Sequence, residues 1–149
     1  MTNGEPLLTA VCRPFSYPSL SIMSKALSDI QVCIVGGGHA SHAMAALLPS
    51  KGLKTNWLTT FKDEADRINV ALKEQGYILG NFAAHNHPSG EVKGLPIKVA
   101  KDPKEVIPQS NVLVMPLPAF AYNDILDAIK PHVQPGTVIL CTPGQVFSF

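Results

Sequence analysis

The sequence predicts a doubly wound α/β fold with an open, mostly parallel sheet. Three observations predict it: a β-branched apolar run ending on consecutive glycines, an amphipathic helical stretch directly after it, and continued alternation of strand-like and helix-like segments to residue 141.

Ile30-Gln-Val-Cys-Ile-Val35 is short, apolar and rich in β-branched residues, and it stops at Gly36-Gly37-Gly38, so it reads as a strand feeding a tight turn. From His39 to Leu48 the residues Ala40, Ala43, Met44, Leu47 and Leu48 fall on one helical stripe. Pro49 and Gly52 end that helix, and Leu53 to Thr59 alternates as a second strand. A strand-helix-strand unit of about 30 residues pairs its strands in parallel through a right-handed crossover.

Thr60-Phe-Lys-Asp63 has the form of a helix capping signal, and Ala65, Ile68 and Leu72 share one face of the segment that Gly76 closes. Between Tyr77 and Ala100 a small hairpin-like excursion is expected: a strand at Tyr77-Ile-Leu79, a turn at His87-Pro-Ser-Gly90 and a strand at Pro96 to Ala100. A short polar helical piece follows at Pro103 to Ile107. Asn111 to Pro116 suits a strand buried on both faces, Asp124 to Ile129 a helix ended by Pro131, and Gly136 to Cys141 another buried strand.

Composition bounds the function classes. With 149 residues, 46% hydrophobic and 15% charged, the chain supports one globular domain with a real core. Twelve basic and eleven acidic residues are scattered, giving a net charge of +1 without a basic stripe, so neither nucleic acid nor a membrane surface is expected as partner. No apolar stretch approaches the roughly 18 residues of a membrane span. Cys12, Cys33 and Cys141 are odd in number and lack a C-x-x-C pair; Cys33 and Cys141 read as small buried hydrophobes in a reducing compartment, so a cytoplasmic location is expected.

Residues 1–29, interrupted by Pro6, Pro14 and Pro18, read as an extension outside the domain formed by residues 30–149. Arg13 stands almost alone there, which argues against a transit peptide. Met23 can equally serve as initiator, and organelle targeting by residues 1–22 stays open.

Gly36-x-Gly38-x-x-Ser41 carries the chemistry. It matches the dinucleotide motif G-x-G-x-x-G/A, with serine as the third small residue: the first glycine makes the turn, the second admits a pyrophosphate to the backbone, and the third position must be small for helix and strand to pack. The phosphates would meet the free N–H groups at the start of the helix near His39 and Ala40. Gly36, Gly37, Gly38, His39, Ala40 and Ser41 are therefore candidate cofactor-binding residues. The competing reading is a glycine turn that only connects two elements.

The motif also calls for an acid near the end of the second strand, to bind the ribose 2′-hydroxyl. Leu58, Thr59 and Thr60 stand there instead, so Thr59, Thr60 and Phe61 are candidate contacts and NAD and NADP both fit as cofactor. Asp63 and Glu64 are the alternative acids, but acids in a first helical turn are more often simple partners of the helix dipole. Pro116-Leu117-Pro118-Ala119-Phe120 follows the fourth strand of the sheet at its carboxyl end, where such sheets bind ligands; its two prolines either simply stiffen a loop or hold it rigid under the nicotinamide ribose, which makes these five residues candidate cofactor contacts. His85 and His87 have the spacing of a two-ligand metal clip, yet a turn with Pro88 and Gly90 and no nearby cysteine or acid pair favours solvent exposure, and no metal is expected. His42 is expected to pack or face water, and His132 to lie on the surface.

Taken together, Val-Cys-Ile-Val-Gly-Gly-Gly-His-Ala-Ser-His (32–42), Leu-Thr-Thr-Phe-Lys-Asp-Glu-Ala-Asp-Arg (58–67), Pro-Leu-Pro-Ala-Phe-Ala-Tyr (116–122) and Pro-Gly-Gln-Val-Phe (143–147) resemble the opine dehydrogenases, from about residue 30 onward. In that family the glycine loop usually continues with asparagine where this chain has His39. The resemblance implies a Rossmann-type domain that binds NAD or NADP. It also implies a parent enzyme that condenses an α-keto acid such as pyruvate with an amino acid and reduces the imine with hydride. In the family a second, helical domain supplies the catalytic histidine and aspartate. This sequence ends at Phe149, just past the fifth strand, so no catalytic residue is assigned to it and it is expected to be inactive alone. Two other readings share the fold: the amino-terminal half of a glycerol-3-phosphate or ketopantoate dehydrogenase, and a non-catalytic nucleotide-binding module.

Overall fold

The computed structural model describes residues 26–84 and 87–142, without the side chains of residues 27, 82–84 and 87–89. The glycine-ended strand is β1 (Gln31–Val35) and the helix after it α1 (His39–Ser50). Then come β2 (Lys54–Leu58), α2 (Glu64–Gln75), the hairpin strands β3 (Ile78–Ala84) and β4 (His87–Gly94), and β5 (Lys98–Ala100). The sheet is completed by β6 (Val112–Met115), followed by α3 (Tyr122–Ile129) and β7 (Val138–Cys141).

Five strands form one parallel sheet in the order β5-β2-β1-β6-β7. The chain thus builds outward from β1 to β2 and β5, then returns to place β6 on the other side of β1. Strand order reverses between β1 and β6, and ligands of open α/β sheets bind outside the carboxyl ends at such a switch point.

The sheet is covered on both faces. Ile34, Trp57 and Val99 meet Ala45 of α1 and Ala65 of α2, with Met44, Leu48, Ile68 and Leu72 packed around them. On the opposite face Cys33, Val35, Leu58, Leu113 and Met115 pack with Val106, Ile107, Tyr122 and Ile129. Each such large apolar side chain contributes about 1.5–3 kcal/mol by leaving water. The expected doubly wound, mostly parallel fold is the one observed.

Several local expectations are corrected. Thr55, Asn56, Trp57 and Leu58 are all buried, so β2 does not alternate; it lies between β1 and β5 with both faces covered. In α1 the buried residues are Ser41, Ala45 and Ala46, while Ala40 and Ala43 are exposed. The stripe is rotated because the helix packs on the sheet and also beneath the hairpin: a Cβ at Gly94 would overlap the Ala46 carbonyl and lie 2.7 Å from that of Ala45. Pro49 sits inside the last turn of α1, not beyond it.

The hairpin is longer than expected, and His87 to Gly90 belong to β4 rather than to a turn. Among the described residues no side chain caps α2 at Asp63 in the way that Thr60–Asp63 suggested, although Gly76 ends that helix in the left-handed conformation, with φ 76°. The polar piece after β5 is a 3-10 turn, Pro103–Glu105, capped by Asp102. Finally, β7 is an edge strand: Ile139 and Leu140 are 40% and 47% exposed, and Cys141 is exposed rather than buried.

Candidate functional site

The carboxyl ends of β1, β2 and β6 lie side by side, since Val35 is opposite Leu58 and Ile34 opposite Val114. The Gly36 N–H donates to the Leu58 carbonyl at 2.8 Å, extending the ladder one residue into the glycine turn. There Gly36 adopts φ +122°, a conformation that L side chains rarely take, and a Cβ would stand 2.5 Å from Leu117 Cδ2. The first glycine therefore does what the motif requires.

The turn is held from behind by groups the sequence reading did not assign to it. The Trp57 indole N–H donates to the Gly36 carbonyl at 2.6 Å, and the ring is fully buried. The His42 ring meets Trp57 edge to face, 4.7 Å between centroids, and its Nδ1 lies 3.2 Å from the Gly38 carbonyl. Two carbonyls of the turn, those of Gly36 and Gly38, are thus taken up by Trp57 and His42, and its outward face is the side that Gly38 leaves open. A large aromatic one strand away, at the position before the strand end, was the only sequence signal for this support.

That outward face suits an anion. A Cβ at Gly38 would meet nothing within 4 Å among the described residues, so they leave the backbone there open. Among the described residues no side chain caps the start of α1, and its first turn holds no acid. The orphan N–H groups and the dipole of a 12-residue helix therefore face outward at His39 and Ala40, both exposed and without an acid of the helix's own. Ser41 is fully buried against the turn, and its hydroxyl has no hydrogen-bond partner among the described residues.

At the end of β2, Thr59 is buried, Thr60 half-buried, and Phe61 projects outward with 65% exposure. The Thr59 hydroxyl donates to the carboxylate of Glu64, the first residue of α2, and that carboxylate lies over Gly37 where a Cβ would be. Glu64 thus turns back across the edge of the sheet instead of simply decorating its own helix.

On the other side, Pro116 and Leu117 are buried, Pro118 and Ala119 exposed, and Phe120 is 85% exposed. The loop is anchored at both ends, by Leu117 against Gly36 and by the Tyr122 hydroxyl donating to the Met115 carbonyl at 2.9 Å. Gly36 to Ser41, Thr59 to Phe61 and Pro116 to Phe120 accordingly converge on one edge. His85 lies outside the described residues, as do the side chain of His87 and the Pro143–Phe147 segment. His132 is half-buried just after α3, away from this edge. A groove of about 620 Å³ lined by Leu126, Ile129, Val133 and Ile139 also lies elsewhere, between the end of α3 and β7.

Comparison with known proteins identifies the family of the chain. Residues 31–144 match the family described as the NAD-dependent glycerol-3-phosphate dehydrogenase N-terminus. An opine dehydrogenase of Haliotis discus hannai is 37% identical over 120 residues, 78% of this chain and 29% of that protein. The octopine dehydrogenase of Pecten maximus is 33% identical over 118 residues, with the same two shares. The chain therefore spans less than a third of the length of these curated relatives. Among solved structures, an octopine dehydrogenase with NADH and L-arginine superposes with a TM-score of 0.72 at 32% identity, over 78% of this chain and 29% of that one. A glycerol-3-phosphate dehydrogenase from Coxiella burnetii, at 22% identity and TM-score 0.56 over 76% of this chain and 32% of that one, shares the fold. The chain belongs to the family of NAD-dependent glycerol-3-phosphate dehydrogenase amino-terminal domains, and within it is an opine-dehydrogenase-like NAD-binding Rossmann domain.

Proposed function

We propose that residues 30–149 bind NAD(H) across the carboxyl edge of the sheet and serve an oxidoreductase that joins an α-keto acid to an amino acid by reductive condensation. The observation that carries this reading is the open backbone at Gly38, at the uncapped start of α1 and beside the left-handed Gly36. The pyrophosphate is held by Gly37, Gly38, His39 and Ala40, with Ser41 keeping helix and strand close. Thr59, Thr60 and Phe61 flank the adenosine, and the Pro116–Phe120 loop flanks the nicotinamide ribose. When bound, the cofactor supplies hydride; the residues of this chain bind and orient it. The opine and octopine names of the relatives support the substrate class; the scattered charge and the cysteines without a C-x-x-C pair support small molecules rather than nucleic acid or lipid as partners and a cytoplasmic setting. Residues 1–29 are an extension outside this domain.

Titrating the 149-residue chain while following nicotinamide fluorescence is the test. Saturable, micromolar binding of NADH without turnover of pyruvate and arginine is expected, and no saturable signal with NADH or NADPH would sink the reading. The description of the matching family favours a second substrate reading, dihydroxyacetone phosphate. Assaying a longer form that includes a helical domain with pyruvate plus arginine, against dihydroxyacetone phosphate, separates the two.

A further inference from the structure

We propose that Glu64 is the acid that reads the adenosine ribose, and that it makes this domain selective for NAD(H) over NADP(H). The inference rests on the nucleotide-binding reading above and adds to it the residue and the direction of selectivity. The dinucleotide motif needs a carboxylate at the end of the second strand, and β2 ends on Leu58 and Thr59 without one. The structure supplies the carboxylate from a different element. Glu64 opens α2, five residues after Thr59, and its side chain folds back to lie on Gly37, between the glycine turn and the end of β2.

Glu64 is fixed there by one contact. Thr59 Oγ1 donates to Glu64 Oε2, and Thr59 itself is only 1% exposed. Oε1 has no hydrogen-bond or ion-pair partner among the described residues. A carboxylate presented in this way accepts hydrogen bonds from the two hydroxyls of a ribose diol. It also faces a 2′-phosphate with like charge at close range.

Nearby cations do not offset it. The Lys62 ammonium lies 5.1 Å from the centroid of its neighbour Phe61, and Arg67 is exposed one turn further along α2. Gly37 is bound to this arrangement too, because a side chain there and the Glu64 carboxylate would occupy one volume.

The test compares dissociation constants of NADH and NADPH for the 149-residue chain and its Glu64→Gln variant. A competition between ADP-ribose and 2′-phospho-ADP-ribose on the unmodified chain accompanies it and needs no variant. The unmodified chain is expected to prefer the unphosphorylated ligand by about tenfold or more, and Glu64→Gln to shrink that preference by about tenfold, NADH weakening while NADPH tightens. Equal affinity of the unmodified chain for both ligands overturns the proposal. So does a Glu64→Gln variant that leaves both affinities unchanged, the mark of a purely structural contact that glutamine retains, or one that weakens both nucleotides alike, since the carboxylate then discriminates nothing at the 2′ position. If the unmodified chain binds neither, the nucleotide-binding reading itself has failed, and this proposal with it.

Discussion

Cys33 shows how much a single position in this sheet depends on its surroundings. It is fully buried in the middle of β1, and burial pushes its thiol up to about 12 from 9.0, against smaller opposing contributions from hydrogen bonding. A thiolate is the reactive form, so Cys33 is inert in the native protein while the exposed Cys141 is open to reagent. Brief alkylation at pH 8 followed by peptide mass spectrometry should label Cys141 and spare Cys33 until denaturant is added. The raised value also has a pH consequence. The unfolded chain loses the Cys33 proton near pH 9 and the folded chain only near 12, so the folded state binds more protons between these limits. This contribution is fully present below pH 9 and is lost as pH rises toward 12; a Cys33→Ala variant, less stable overall, should show a shallower alkaline decline in urea midpoints.

At the scale of elements, the hairpin and α1 are joined through a missing side chain. Gly94 lets β4 run against the carbonyls of Ala45 and Ala46, and those atoms are backbone, unable to move aside as a flexible side chain would. Gly94→Ala should destabilise the domain by about 1–3 kcal/mol in chemical denaturation, and amide exchange in β3 and β4 should accelerate more than in β1 or β6. Unchanged exchange in the hairpin would mean that the contact does not hold it. This packing also marks where sequence reading ran out. β1 and β6 were legible because a continuous apolar run reports burial directly, and α1 was legible as a helix from its period. The rotated stripe of α1 was not, because alanines fit equally well beneath a hairpin or facing water, and only the partner decides. The hairpin itself was misplaced because Pro88, Ser89 and Gly90 are turn formers, and tertiary pairing overrode that preference. The same limit applies at the site. The Gly36–Ser41 turn could be read from spacing, but Trp57 acts through a side chain that crosses between elements, and position alone offered Glu64 as a substitute acid without distinguishing it from Asp63 or from a partner of the helix dipole.

At the scale of the molecule, the elements that meet at the site are unequally distributed along its edge. The β1–α1–β2–α2 side contributes the glycine turn, the start of α1, Thr59 and Glu64, whereas the β6 side contributes the single loop that ends at Tyr122. If NAD(H) lies across this edge with its adenosine on the β2 side, most of the binding energy available within this chain falls on the ADP-ribose half. Ligand that binds only the folded state stabilises it by RT ln(1 + [L]/Kd), about 2.7 kcal/mol at a hundredfold excess over Kd. For a domain of this size that corresponds to a rise in Tm on the order of 10 °C. ADP-ribose should therefore reproduce most of the thermal shift given by NADH at equal concentration, while nicotinamide mononucleotide gives little. The reverse order would place the main binding energy at the Pro116–Phe120 loop and would overturn the assignment of the two halves of the edge. With ADP-ribose as ligand, Glu64→Gln should lower the shift and leave the melting temperature of the free protein nearly unchanged, because its amide oxygen still accepts from Thr59.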